Sequence, residues 1–330
     1  MKFTAFLLTF FTILLFGCTG TGSPQEGKFN MSILNQKPVF TIDFHGAGTR
    51  YQFYVNGVLV ENDPHGGQTS HEVPVNHWMR SGVNTLELLI YPDDEGEDIN
   101  TSSKIKALLQ VRNYGEQENH SLGGLFFDGA TYKHDLPALA YQRDVENFSV
   151  MDDGRIVVSE MAVENDIYFE GTRKYSITID VPSNLPLWSF FNSDSLPSSD
   201  ALNNDDFYAI SGELYNILRD VQSQLEQGQV DEIMPLFAER NHETDLAFYK
   251  EEGQTEKELH SDFTNDIPTL DMLSLNIKST LYTSELNLKL ASNFRNDRDN
   301  AISGNLKSGP GNLSFPIMFR KQDGKWIITR

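Results

Sequence analysis

The hydrophobic pattern of this chain changes period twice, and these changes limit the folds open to it. Between residues 37 and 182 apolar and polar residues alternate, as in Phe40, Ile42 and Phe44, which is typical of half-buried strands. Apolar residues then recur every three or four positions from Ile210 to Leu225, and the two-residue period returns after Met272. We therefore predict a multi-domain chain: an antiparallel β-sandwich, followed by helices and then a curved antiparallel sheet.

Two short motifs support the first domain, residues 37–182. Asn56-Gly57 between two apolar runs predicts a type I′ hairpin, and Ser81-Gly82 predicts a turn before Val83-Asn84-Thr85-Leu86. Together with Tyr54-Val55 and Val73-Pro74-Val75, these residues resemble the pattern of galactose-binding-like jelly rolls, with Met79 where that pattern has leucine. The resemblance implies a jelly-roll fold and says little about sugar binding.

A connection and a linker are predicted around this domain. Residues 115–147 read as a long irregular connection at the rim of a ligand-binding face. Residues 183–200 are rich in proline and serine and read as a linker. The linker contains Leu187-Trp188-Ser189-Phe190-Phe191, and we expect these apolar side chains to pack against one of the domains.

The second domain, residues 201–330, is predicted to begin with helices. A long amphipathic helix ends before Gly228, a short helix covers 233–237, and a third is stopped by Pro268. Strands follow at 273–277, 285–290 and 313–319, and an Asp323-Gly324 turn leads to a last strand. Helices followed by a meander ending in Gly324-Lys325-Trp326 resemble the nuclear-transport-factor-2-like fold. That family includes isomerase-type enzymes as well as non-catalytic binding modules.

The N-terminus carries a targeting pattern. Lys2 precedes 14 apolar or threonine residues, 3–16, which are too few to cross a bilayer, since a spanning helix needs about 20 apolar residues. Leu15-Phe16-Gly17-Cys18 resembles the lipobox of bacterial lipoproteins. The resemblance implies a signal peptide at 1–17, lipid attachment at Cys18 and a tether at 18–36. The same resemblance implies that Thr19, where an aspartate is absent, favours the outer membrane, with the protein facing the periplasm. The alternative is an ordinary secretory signal in which Cys18 is incidental.

The charge and the cysteine count exclude several classes of partner and bond. The net charge is −21, divided as −11 over residues 28–182 and −10 over residues 183–330. So acidic a chain is not expected to bind nucleic acid or to lie on anionic lipid. The charge favours a basic partner or a cation, or simply solubility. Cys18 is the only cysteine, so no intramolecular disulfide is expected.

Two features could hold a metal, although we predict no metal site and no cofactor. His65, His71 and His77 recur every six residues, a wider spacing than most zinc sites use, and exposed loop histidines are the alternative. Residues Asp93 to Asp98 form an acidic loop without the ligand spacing of an EF-hand, and a solvated hairpin tip is the alternative.

No catalytic residue is predicted either. The sequence has no nucleophile elbow, phosphate loop or zinc-protease motif. A general base in the second domain would be sought at His242, His260 or Asp271, and we expect all three at the surface.

We therefore expect a lipid-anchored envelope protein that acts as a non-enzymatic binding or scaffolding module for a protein or glycan. One form of this role is an immunity-type inhibitor of a periplasmic effector. The alternatives are an envelope hydrolase or isomerase that uses the pocket of the second domain, and a purely structural envelope component. The sequence assigns neither binding residues nor an oligomeric state.

Overall fold

A computed structural model describes residues 31–92, 99–130, 139–141, 157–159, 161–165, 170–196, 204–275, 302–315 and 317–330. Antiparallel sheets make up its N-terminal part, and helices with short strands make up its C-terminal part. This layout is consistent with the predicted β-sandwich followed by an α+β unit. We call residues 38–181 the sandwich and residues 204–330 the second part.

The described strands of the sandwich form two sheets, ordered β4-β1-β6-β7-β8 and β10-β11-β5-β2-β3, with β9 beside β11. In chain order the strands are β1 (Pro38–Ala47), β2 (Arg50–Val55), β3 (Val58–Asp63), β4 (Thr69–Pro74), β5 (Gly82–Tyr91), β6 (Lys104–Asn113), β7 (His120–Asp128), β8 (Leu139–Tyr141), β9 (Val157–Val158), β10 (Ala162–Asn165) and β11 (Arg173–Val181).

The two sheets share one apolar core. Phe44 of the first sheet lies 5.9 Å from Phe53 of the second, and Phe127 lies 6.1 Å from Tyr175, between ring centroids. All four side chains are almost fully buried. Burial of one such ring stabilises the fold by about 1.5–3 kcal/mol, so aromatic packing between the sheets is a main source of stability here.

The two predicted turns are present and connected. Asn56 and Gly57 have φ values of 52° and 74°, as a type I′ turn requires. The buried Asn56 side chain donates through Nδ2 to the Trp78 carbonyl (2.7 Å) and to Asn84 Oδ1 (2.9 Å). Asn84 in turn donates to the carbonyl groups of Arg80 and Gly82. The motif residues thus hold the β2–β3 turn against the loop that precedes β5.

The prediction of an irregular connection at 115–147 is wrong for residues 120–128 and for residues 139–141, which form β8 beside β7. The first of these segments is β7, which pairs with β6 inside the first sheet. The sequence pattern does not indicate this strand because Gly123 and Gly124 interrupt the alternation of apolar and polar side chains. A Cβ on Gly124 would lie 2.2 Å from the Ala107 carbonyl oxygen, so this close approach requires glycine.

The predicted linker packs against both parts of the chain: its aromatic residues lie in the sandwich core, Leu196 joins the core of the second part, and Leu187 is 54 % exposed, contrary to the expectation that it packs. Trp188 and Phe190 are each 1 % exposed and join the sandwich core. The Trp188 indole donates to the Met79 carbonyl at 2.7 Å. A short 3₁₀ helix, Ser189–Asn192, holds this segment in place.

Four α-helices open the second part: α1 (Asn204–Glu226), α2 (Val230–Ile233), α3 (Ala238–Ala247) and α4 (Gln254–Asp266). The first ends just before Gly228, which has φ 71°, as predicted. A 3₁₀ turn, Met234–Phe237, overlaps the predicted short helix, and a second one follows α4 at Pro268. Helix α3 was missed by the sequence analysis.

Strands complete the second part. They are β12 (Leu270–Leu275), β13 (Ile302–Leu306) and β14 (Asn312–Phe315), which form one sheet, and β15 (Phe319–Gln322) and β16 (Lys325–Ile328), which form a hairpin. The strand predicted at 313–319 is therefore divided between β14 and β15. The strand predicted at 285–290 lies outside the described residues.

The described helices and strands of the second part enclose a second apolar core. Phe263 packs between Phe237 and Phe315, with ring centroids 5.6 and 5.2 Å away. Leu214, Leu218 and Val221 of α1 belong to the same cluster. None of the helices among the described residues combines the length and the apolar character needed to span a membrane.

Candidate functional site

Helix α3 carries mostly polar residues on its buried side and a leucine on its exposed side. Its buried residues are Asn241, Glu243, Asp245 and Ala247, whereas Leu246 is 48 % exposed. A helix that only stabilised a core would place leucine inside and carboxylates outside. Each buried polar side chain of α3 therefore needs a partner, and its exposed apolar side needs an explanation.

The inward side of α3 holds the β15–β16 hairpin through Glu239. The Arg320 guanidinium donates to Glu239 from Nε (2.7 Å) and from Nη2 (2.5 Å), a bidentate geometry. Burial is the largest influence and favours the neutral acid, but hydrogen bonds from Arg320 and Thr329 and the positive charges of Arg320 and Arg330 together lower the pKa of Glu239. This carboxylate stays charged and anchors β15 to α3.

One turn further along α3, Glu243 holds Arg330. The Arg330 Nη1 donates to Glu243 Oε2 at 2.5 Å, and the backbone N–H of Ser189 donates to Oε1 at 2.7 Å. The Arg330 side chain is only 5 % exposed. Its guanidinium carbon lies 5.1 Å from the Phe190 ring, 5.3 Å from Trp78 and 5.7 Å from Trp188. The cation therefore has a carboxylate partner and three aromatic neighbours.

Asp245 connects α3 to the start of α4. Its carboxylate accepts the backbone N–H groups of Gly253 (Oδ2, 2.8 Å) and Thr255 (Oδ1, 2.8 Å). Burial opposes ionisation of Asp245, but its bonds to Thr255 and Gly253 prevail and lower the pKa. The acid thus satisfies helix-end donors that would otherwise lack a partner.

The C-terminal end of α3 contacts the sandwich directly. Asn76, fully buried before β5, donates through Nδ2 to the carbonyl oxygens of Pro38 (2.8 Å) and Ala247 (2.6 Å). The Tyr249 hydroxyl donates to the same Pro38 carbonyl at 3.0 Å. These bonds tie α3 to β1.

His77 lies at the same junction. Its ring is 5.2 Å from Phe248, and its carbonyl oxygen accepts Nη2 of Arg330 at 3.1 Å. Burial, together with the nearby cations Arg330 and Arg240, lowers the pKa of His77 well below its ordinary value. The ring is neutral at pH 7 and cannot assist Glu243 in balancing Arg330.

The outward side of α3 is exposed and largely apolar. Ala238, His242 and Leu246 are each four residues apart, so they lie along one side of the helix, and all three are exposed. Pro235 and Leu236 precede them, and Leu236 is 44 % exposed. We call these five residues the α3 stripe. It is the candidate binding surface.

The histidines considered as metal ligands do not converge. His71 Nε2 lies 2.8 Å from Glu61 Oε2, His65 is exposed in a loop, and His77 lies at the junction. In the part of the chain that the structure describes, no group of three or more histidine, cysteine, aspartate or glutamate residues could hold a metal ion. The acidic loop 93–98 and Cys18 lie outside the described residues.

A hydrogen-bonded series of serine, histidine and aspartate lies on the outer face of the first sheet. Ser70 Oγ is 2.9 Å from His45 Nδ1, and His45 Nε2 is 2.9 Å from Asp43 Oδ1. Such a series can activate a nucleophile when it is shielded from water. Here the imidazole is 48 % exposed, and Asp43 also pairs with Lys106 at 2.6 Å. We interpret the series as surface pairing between β1, β4 and β6.

The structure places none of the three residues considered for acid–base catalysis in a buried position. His242 and Asp271 are exposed, and His260 forms a surface pair with Asp231 at 2.9 Å. Sequence reasoning missed the residues that do gather, Glu239, Glu243, Arg320 and Arg330, because they are distant in sequence. The one local signal was the pair Glu239 and Glu243, four residues apart as on one side of a helix, within residues 239–245, which contain no apolar side chain.

No model of a known protein family matches the sequence, and no curated protein matches it.

Proposed function

We propose that this protein is a lipid-anchored protein of the bacterial envelope that binds a protein partner through the α3 stripe and has no catalytic role. The lipobox-like Leu15-Phe16-Gly17-Cys18 supports attachment through Cys18, most simply at the outer membrane on the periplasmic side. The glycine-, serine- and threonine-rich composition of residues 19–30 supports a flexible tether that would let the folded body reach a partner.

The observation that carries the binding role is the reversed polarity of α3. Its carboxylates are used inside the protein, and Leu236 and Leu246 remain in water. Nearly half of the surface of each leucine stays exposed to water, and a grouped apolar surface is typical of interaction sites. A partner that covers the stripe would remove this surface from water.

The enzyme alternative has less support. The described interior of the second part is lined by apolar side chains such as Phe237, Phe263 and Phe315. A general base for an isomerase or hydrolase would have to lie in such an interior, and His242, His260 and Asp271 lie outside it. The exposed Ser70–His45–Asp43 series lacks the shielding that a hydrolase needs.

The finer fold assignments are also proposals. The Asn56-Gly57 hairpin and the Asn84 turn support a jelly-roll-like sandwich. Helices followed by antiparallel strands that end in Lys325-Trp326 support a nuclear-transport-factor-2-like second domain. Both folds commonly serve as binding modules, and within this class an immunity-type inhibitor of a periplasmic effector remains our narrower hypothesis.

The proposal is tested by capture from detergent-solubilised envelopes of the native host. The baits are the lipidated wild-type chain, Leu236→Asp/Leu246→Asp and Cys18→Ala. We expect a stoichiometric partner with the wild type and its loss with the double variant, because two charges would be buried without partners. We expect Cys18→Ala to leave the membrane fraction.

The control is Val83→Asp, which places a charge on an exposed apolar residue of the sandwich. It should keep the partner. Both α3-stripe leucines are exposed, so the free energy of unfolding of the double variant should lie within about 0.5 kcal/mol of the wild-type value. The proposal is wrong if no partner is captured, or if the double variant and Val83→Asp behave alike.

A further inference from the structure

The acidic charge of the second part is concentrated in its helices. Residues 204–269 carry 16 acidic and 4 basic side chains, a net charge of −12, whereas residues 270–330 carry 5 acidic and 9 basic ones, a net charge of +4. The net negative charge is divided almost evenly between the two halves of the chain, but within the second part the helices are acidic and the remaining residues are basic.

Several of these acidic side chains already form hydrogen bonds or ion pairs within the protein. Glu239 and Glu243 hold arginines, Asp245 holds the start of α4, and Glu258 pairs with Lys250 at 2.5 Å. The α3 stripe itself contains no acidic residue. The acids relevant to a partner are those exposed at the two ends of the stripe.

Each end of the stripe is flanked by an exposed acidic pair. Asp231 and Glu232 precede Leu236 by five and four residues, Glu251 and Glu252 follow Leu246 by five and six residues, and all four acids are exposed. Leu236, in the 3₁₀ turn Met234–Phe237, and Leu246, in α3, are ten residues apart, or about 15 Å at the rise of an α-helix, and the acidic pairs lie beyond each of them along the chain. An apolar centre with a charged rim is the usual anatomy of a protein interface.

We propose that the α3 stripe binds a basic protein segment, with apolar side chains that cover Leu236 and Leu246 and with lysine or arginine residues at both ends. This inference rests on the proposed binding function and specifies its partner. Charge complementarity with the two acidic pairs is what selects a basic segment. A neutral glycan would make no use of these pairs.

The test uses a fluorescent peptide of about 18 residues that forms an amphipathic helix, with leucines on one side and lysines at both ends, and a twin with glutamate for lysine. Binding to the full-length lipidated protein in neutral detergent is measured at about 50 mM and about 300 mM NaCl, since salt screens exposed charge pairs. We expect only the lysine peptide to bind, with weaker affinity at the higher salt concentration.

Charge-reversal variants locate the site. Asp231→Lys/Glu232→Lys and Glu251→Lys/Glu252→Lys should each raise the Kd of the lysine peptide about tenfold or more, because each replaces two attractions with two repulsions. The matched control Glu164→Lys/Glu170→Lys makes the same change in net charge on β10 and the turn before β11. It should change the Kd less than about threefold, the scale of a distant effect screened by salt.

The inference is overturned if both peptides bind alike, or if the control weakens binding as much as the α3 variants do, since the attraction would then be unspecific. A captured envelope partner that is lost with Leu236→Asp/Leu246→Asp but kept with both α3 charge reversals would overturn the basic partner and leave the binding function standing. A captured partner that is kept by the leucine double variant and by both charge reversals would overturn both the basic partner and the binding function.

Discussion

At the scale of single residues, Arg330 shows how a buried charge can join separate parts of a chain. Its guanidinium reaches Glu243 on α3 and the His77 carbonyl in the sandwich, and three aromatic rings surround it. A buried ion pair gains little over an apolar pair, but removal of one partner leaves a charge that water cannot reach. The main consequence of losing Arg330 would therefore be a buried Glu243 carboxylate without its charge partner.

We expect Arg330→Met to lower the free energy of unfolding by about 3–5 kcal/mol, because Glu243 would be left charged and buried. Urea denaturation measures this, and a double-mutant cycle with Glu243→Gln should show coupling above about 1 kcal/mol. Lys250→Met is the control, because its pair with Glu258 is at the surface and should cost about 0–1 kcal/mol. An equal cost for the two variants would contradict this account.

His77 should make stability depend on pH. Because the folded protein keeps His77 neutral to a lower pH than the unfolded chain does, the unfolded state binds more protons below about pH 6.5. The free energy of unfolding should therefore fall on acidification from about pH 6.5, by at most about 1.4 kcal/mol per pH unit for this residue.

The measurement is urea denaturation between pH 7.5 and about 5, above the range in which carboxylates titrate. His77→Phe, which keeps an aromatic ring beside Phe248, should show a shallower dependence over this interval. A slope unchanged by the substitution would assign the pH dependence to other groups.

At the scale of elements, the sequence predicted those whose buried side is apolar. Helix α1 was found because Leu214, Leu218, Val221 and Leu225 recur at helical spacing and are buried. Helix α3 was missed because its buried side carries Asn241, Glu243 and Asp245, whose partners come from distant parts of the chain. The α3 stripe was missed together with its helix, because the helix is recognisable only from the tertiary contacts of its buried side, which periodicity does not report.

Strand β7 was missed because of its glycines, which leads to a prediction. Gly124→Ala should lower the free energy of unfolding by about 2–3 kcal/mol, because its Cβ would collide with the backbone of β6. Gly212→Ala in α1 is the control, since no atom lies within 4 Å of the added Cβ, and it should raise stability by about 0.5–1 kcal/mol. Thermal denaturation compares the two. Equal and small effects would mean that β7 does not approach β6 so closely.

At the scale of the whole molecule, the junction makes the α3 stripe a fixed surface. Asn76, Tyr249 and Arg330 bond across it, and Trp188 places the segment between the two parts in the sandwich core. A partner bound on the stripe would thus be held at a defined orientation to the sandwich.

The central claim is that the outward side of α3 contacts a partner, and site-specific photo-crosslinking in intact cells of the native host tests it most directly. A photoreactive phenylalanine analogue replaces Leu246 in one strain and Val83 in another. The account predicts one discrete adduct from position 246, absent from position 83 and reduced by Glu251→Lys/Glu252→Lys. No adduct at position 246, or the same adduct from both positions, would contradict it.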